Sequence, residues 1–340
     1  MISSFVNLSS DRNLVRDVLV RLNLIQPDES IRVTEITGGV SSILLKIEGQ
    51  SETYCLKQAL PLLKVARLWS APVDRVYTEI AWLQLAARID PSCVPKVLGV
   101  DRPTNSFVMS FLPPEKFPNW KSELLAGRVN ISFAASVGAT LARIHNATAN
   151  QKEIESEFYN DDNFMALRLD PYLLETARRH PDLATALSSL VVRTQAKKLA
   201  LVHGDISPKN ILVDSAGPIF LDAECAWFGD PAFDAAFCLN HLLLKSVAVR
   251  NSSASLLDAF DAFAEAYLSR INWEPRQDIE SRVAALLPAL ALARISGKSP
   301  VEYLDLSTRK AIIKIATPLV AMPPTQLEAL KGVWKKGFGL

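Results

Sequence analysis

The stretch LVHGDISPKNILVD, residues 201–214, sets polar residues between two apolar runs, and a later apolar run ends in Leu221-Asp222. Asp205 precedes Asn210 by five positions and Asp222 by 17. Two carboxylates and one amide thus arrive at strand ends in a loop-rich segment. Phosphoryl transfer uses such a set: one carboxylate orients or deprotonates the attacking hydroxyl, while the other carboxylate and an amide oxygen hold magnesium against the phosphates. Magnesium takes few carboxylates and adds phosphate oxygens, so no dedicated cage is required. Taken singly, Asp205 and Asn210 would also suit ordinary turns.

Positioning that set needs a scaffold, and the chain has two textures. Residues 10–22 place Leu14, Val15, Val18, Leu19 and Leu22 at helical spacing, with Ser10 as the cap. Strands are expected over 31–36, 43–47 and 53–57, as an antiparallel meander. A helix follows over 73–87, then strands over 97–100 and 106–111. Pro113-Pro114 marks a hinge, giving domains of 1–112 and 113–340. Beyond it helices are expected over 133–145, 184–196, 233–248, 255–268 and 279–295, interrupted by three short apolar runs in 199–221. The fold class is α+β: a small antiparallel β-sheet lobe, then a mainly helical lobe.

The spacing H-x-D-x-x-x-x-N is that of a kinase catalytic loop. With LDAECAWFGDPAFDAA (residues 221–236), the block HGDISPKN resembles the aminoglycoside phosphotransferase and choline kinase superfamily. The resemblance spans roughly residues 31–305 and is specific for fold rather than substrate. It implies a bilobal protein-kinase-like fold with ATP as co-substrate in the cleft, Mg2+, and a small-molecule hydroxyl acceptor such as a sugar, amino alcohol or aminoglycoside. It makes Asp205 the catalytic base and Asn210 and Asp222 the magnesium ligands, joined by Glu224. Asp234 would brace the catalytic loop from beneath. Lys57, at the end of the third strand, would contact the α/β-phosphates and pair with Glu79 on the next helix. An exposed strand-end lysine is the plainer reading of Lys57 alone.

Gly38, Gly39 and Ser41 lie between the first two strands, where backbone amides would cradle phosphates or simply turn a hairpin. The main chain from Met109 through Phe111 would meet adenine. Gly204 stands where protein kinases carry the Arg of H-R-D, and no A-P-E follows Asp222, which points away from a regulated protein kinase. The stretch LKQALPLLKVARLW, residues 56–69, is similar to 5-methylthioribose kinase. A nucleotide-binding regulator without catalysis is the reading from a different class; it would have lost one of Lys57, Asp205, Asn210 or Asp222.

Thirty-seven basic residues against 36 acidic ones leave no electrostatic footprint for nucleic acid. The four cysteines have no C-x-x-C spacing and suit a reducing, cytoplasmic setting. No signal peptide is evident, and the apolar stretch 283–293 contains Pro288 and is too short to span a bilayer. The composition leaves oligomeric state open. Residues 151–182 hold eight acids and four bases, an acidic rim for a cationic acceptor or an ordinary solvated face. Trp120, Trp227 and Phe228 suit a pocket or the core; Arg294 and Lys298, an anionic substrate group or structural pairs. His203 is expected to be structural, and His145 and His241 to be satisfied core residues.

Overall fold

The computed structural model describes residues 5–36, 41–62 and 72–340. The chain forms two compact units, Met1–Lys116 and Phe117–Leu340.

The first unit contains α1 (Arg12–Arg21), β1 (Arg32–Glu35), β2 (Ser42–Glu48), β3 (Thr53–Ala59), α2 (Arg75–Ile89), β4 (Val97–Asp101) and β5 (Ser106–Ser110). The strands form one antiparallel sheet in the order β1-β2-β3-β5-β4. Val15, Val18 and Leu19 of α1 pack with Ile43, Leu45 and Ile47 of β2 and with Leu56 and Val108. The cap is Asp11, whose carboxylate accepts from the Asn13 amide at 2.8 Å; Ser10, expected in that role, instead ends a 3₁₀ turn over Leu8–Ser10. Ser10 is one residue too early for its hydroxyl to serve the first helical amides.

The second unit contains α3 (Trp120–Leu125), α4 (Ile131–Thr148), α5 (Lys152–Glu157), α6 (Asp161–Phe164), a π-helical segment (Met165–Leu174), α7 (Glu175–Arg179) and α8 (Ala184–Ala196). There follow β6 (Ala200–Val202), β7 (Ile211–Asp214), β8 (Gly217–Phe220), β9 (Trp227–Gly229), α9 (Ala232–Ala248), α10 (Ser253–Leu268), α11 (Arg276–Ser296), α12 (Leu306–Ala321) and α13 (Leu327–Phe338). The apolar run 199–203 does not pair with its neighbours. β6 pairs with β9, while β7 and β8 form a separate hairpin. Trp227 and Phe228 are therefore buried strand residues, and Trp120 is buried edge-on against Phe133. Trp227 and Phe228 fill the core role, while Trp120, equally buried, also lines a cavity with Phe133 and Val213. α9 is buried along nearly its whole length, since α10 and α11 both pack on it. The helices α12 and α13, beyond those expected, complete the unit.

No single helix among the described residues is long and apolar enough to cross a membrane.

Candidate active site

In the first unit, Lys57 on β3 and Glu79 on α2 are both buried, and the ammonium lies 2.7 Å from the carboxylate. A lysine is seldom buried to this degree unless paired. The exposed strand-end reading of Lys57 is thereby excluded. Ser41 is buried, and its carbonyl accepts from the Arg75 guanidinium at 2.6 Å and from the Leu60 amide at 2.9 Å. Met109 pairs with Cys55 and Val97 in the sheet, and Phe111 follows the end of β5 with Lys46 Nζ 5.3 Å over its ring. Gly38 and Gly39 lie outside the described residues.

In the second unit, β6 delivers His203, Gly204 and Asp205. Asp234, in the first turn of α9, accepts from the His203 amide at 2.7 Å and from the Gly204 amide at 2.8 Å. It braces the loop as expected. His145 of α4 sits 3.4 Å from the same carboxylate and 2.9 Å from the Tyr267 hydroxyl, so it is a satisfied core residue with a place in the brace. The His203 Nδ1 accepts from the Asp205 amide at 3.1 Å, and burial lowers the imidazole pKa. An Nδ1 that accepts carries no proton, so this ring is neutral and structural.

Gly204 is dictated by geometry. Its φ is +81°, and a Cβ there would lie 2.7 Å from the Cys225 carbonyl oxygen. An arginine at this position is excluded on both counts.

Asp205 is buried, with two cations on it. Arg168 Nη2 lies 2.8 Å and Lys209 Nζ 3.1 Å from its Oδ2. Burial pushes the carboxyl pKa up, but Arg168 and then Lys209 outweigh that and hold it below the usual range. Asn210 donates to the Asp205 carbonyl at 3.2 Å, which leaves its amide oxygen for a ligand. Asp222, just past β8, has a φ of +68°, a left-handed conformation that aspartate tolerates and that marks strained functional positions. Its charge reaches Asp205 and opposes ionisation there. Glu224 is buried, and its charge reaches Arg168. Among the described residues no three His, Cys, Asp or Glu side chains make a ready-made metal cage. The amide and carboxylate of Asn210 and Asp222 are an oxygen donor set of the kind magnesium shares with phosphates.

Arg168 and Lys209 were not picked out by sequence spacing. Arg168 comes from the 151–182 segment, within the π-helical stretch. Its Nη1 donates to the Leu167 carbonyl at 2.7 Å, while Nε donates to Gly204 O. These two bonds help fix the guanidinium on the segment that carries Asp205. Several acids of the segment are engaged locally: Asp170 with Arg178 and Lys298, Glu175 with Arg178 and Arg179, Asp161 with Lys198. Lys298 accordingly has a structural partner. His241 departs from expectation, because its Nδ1 is buried without a hydrogen-bond partner.

The model of the phosphotransferase enzyme family matches residues 32–279. The methylthioribose kinase of Pectobacterium atrosepticum is 28% identical over 251 residues, which cover 65% of this chain and 62% of that one. The chain thus spans about three fifths of the length of the curated relatives it matches. Among solved structures, the ethanolamine kinase of Plasmodium vivax superposes with a TM-score of 0.60 at 13% identity, covering 98% of this chain and 94% of that one. A spectinomycin phosphotransferase gives 0.53 at 12% identity, covering 96% and 98%. At such identities the likeness is one of fold, the α+β class expected from the sequence. The family match extends over most of the chain, which belongs to the phosphotransferase enzyme family.

Proposed function

We propose that this protein is an ATP-dependent phosphotransferase that moves the γ-phosphoryl group onto a hydroxyl of a small molecule. The observation that carries the reading is Asp205, buried yet held ionised between Arg168 and Lys209 on a loop braced by Asp234. Its carboxylate orients the acceptor hydroxyl. The new bond forms from that oxygen to the γ-phosphorus as the bond to the β,γ-bridging oxygen breaks, ADP leaves, and the hydroxyl proton passes to Asp205. A carboxylate with a depressed pKa is a weak base, so orientation and charge placement dominate over early deprotonation. Lys57, fixed by Glu79, steadies the α/β-phosphates, and the main chain at Met109 and Phe111 meets the adenine. Asn210 and Asp222, with Glu224, would hold magnesium, which would supply charge neutralisation at the phosphates.

The relatives' names suggest an alcohol on a small polar molecule: methylthioribose for the kinase of Pectobacterium atrosepticum, ethanolamine for that of Plasmodium vivax. The buried thiols of Cys55, Cys93, Cys225 and Cys238 support a reducing, cytoplasmic setting. The test is ADP formation across a panel of sugars, amino alcohols, hydroxy acids and aminoglycosides, with wild type and Asp205→Asn. Acceptor-stimulated turnover lost by roughly three orders of magnitude in Asp205→Asn is the expected result for a group at the reacting centre. Turnover retained in that variant would reject the assignment.

A further inference from the structure

The catalytic segment adjoins a helix face that the reaction as described does not use. On α9, Phe237, His241 and Lys245 follow at four-residue spacing and so share one side of the helix. The Phe237 ring lies 5.6 Å from that of His241 and 5.9 Å from the Arg168 guanidinium, the same group that holds Asp205. The charge of Lys209, the other partner of Asp205, reaches His241. Arg294 of α11 and Tyr303 of the following loop complete the face. Arg294 Nη1 donates to the Tyr172 hydroxyl at 3.2 Å and to Ser299 Oγ at 2.9 Å, and Lys245 Nζ lies 5.0 Å over the Tyr303 ring.

These groups are short of partners. Lys245 is 1% exposed, and among the described residues neither it nor Arg294 has a carboxylate in ion-pair range. His241 Nδ1, Arg294 Nε and Tyr303 Oη are buried without hydrogen bonds. Glu302, whose charge reaches Lys245, is mostly exposed and paired with Lys121. A buried cation is costly unless paired, and a buried donor is costly unless bonded. Water can satisfy the hydroxyl and the imidazole but supplies no counter-charge. The charges of Lys245 and Arg294 both reach His241, and Lys245 lies over the Tyr303 ring, so an ammonium, a guanidinium and a phenol near a neutral imidazole form a donor-rich set that complements an oxyanion.

We propose that His241, Lys245, Arg294 and Tyr303 seat an anionic group of the acceptor, so that the substrate is a small hydroxy acid, carboxylate or phosphate, whose hydroxyl reaches Asp205. The acceptor role rests on the phosphotransferase reading; the binding of an oxyanion does not.

The test is calorimetric titration of the intact chain, with magnesium and a non-hydrolysable ATP analogue present. D-Glycerate, D-gluconate and sn-glycerol 3-phosphate are compared with glycerol and glucitol at matched ionic strength. At least one anion is expected to bind about tenfold or more tightly than its neutral match, and to lose about tenfold or more in Lys245→Met. Whether a carboxylate or the phosphate binds better decides the anion. Tyr303→Phe, a milder change, is expected to weaken the same ligand should Lys245→Met fail to fold. Equal binding of acids and neutral polyols, no binding of any anion, or anion binding indifferent to both substitutions would overturn the proposal. With ATP in place of the analogue, binding without phosphorylation of any bound anion would overturn the acceptor role and leave the oxyanion seat standing, whereas acceptor-stimulated turnover retained in Asp205→Asn would reject the phosphotransferase reading itself.

Discussion

Arg168 Nη2 and Asp205 Oδ2 are 2.8 Å apart, and both side chains are buried. The Leu167 carbonyl on one side and the Gly204 carbonyl on the other accept from the guanidinium, so the ion pair is oriented as well as close. Arg168 acts through Asp205 and is a positioning residue. Arg168→Met leaves Asp205 with Lys209 as its remaining near cation. Removing one opposite charge at contact distance from this buried carboxylate raises its pKa. The expected outcome is a fall in kcat of about tenfold or more, with the acid limb of the pH–rate profile displaced upward. A fall in kcat with an unmoved acid limb would make Arg168 merely structural.

Gly204 gives a separate test of the loop. Gly204→Ala must accept a left-handed backbone and a 2.7 Å approach to the Cys225 carbonyl. Strain of this kind costs about 1–3 kcal/mol. The urea midpoint is expected to drop accordingly, and activity to drop with it, because the displaced residue lies between Asp205 and its brace at Asp234. A variant with wild-type midpoint and wild-type activity would show that the loop is not held as described.

Much of this arrangement was legible in the sequence where local pattern and structure coincide. The strand expected over 43–47 lies within β2, and the 184–196 helix is α8 to the residue. Lys57 and Glu79 were expected to meet because the kinase resemblance pairs a lysine of the third strand with a glutamate of the next helix, and the pair forms. What escaped depends on long-range packing. The partner of β6 lies beyond a hairpin, at Trp227–Gly229, and no local signal names it. Arg168 is one basic residue in an acidic segment, and its target is 37 residues away, so no local pattern marks it. The missing partner of His241 depends on α11 and on the loop after it, which an apolar helix pattern cannot report.

Lys57 and Glu79 test the first unit on its own. Lys57→Met leaves the Glu79 carboxylate buried beside an apolar chain, and breaking one side of a buried pair costs about 3–5 kcal/mol. Lys57→Met with Glu79→Leu removes both charges and is expected to recover much of that stability. Neither variant is expected to recover turnover, because the phosphate contact is gone in both. Recovery of ADP formation in the double variant would show that Lys57 serves the fold and not the nucleotide.

Lys245 makes stability itself depend on pH. Burial first, then the charges of Lys121 on α3 and Arg294 on α11, lower its pKa to about 7 from an ordinary value of 10.5; Cys238 and Glu302 oppose the shift. Below about pH 7 both folded and unfolded chains hold the proton, and the folded state bears the full cost of a buried charge. Between about 7 and 10.5 the unfolded chain binds more protons than the folded one, so stability rises with pH. The slope from this one group is at most about 1.4 kcal/mol per pH unit, and it vanishes above the unfolded value. Other lysines, tyrosines and thiols titrate in the same window, so the measurable quantity is a difference. Urea unfolding of wild type and Lys245→Met at pH 7, 8, 9 and 10 is expected to show Lys245→Met the more stable near pH 7, with the gap narrowing as pH rises. A bound oxyanion should pair with Lys245 and raise its pKa, which would flatten the wild-type slope. A gap independent of pH would mean that Lys245 is neutralised by something other than the loss of its proton.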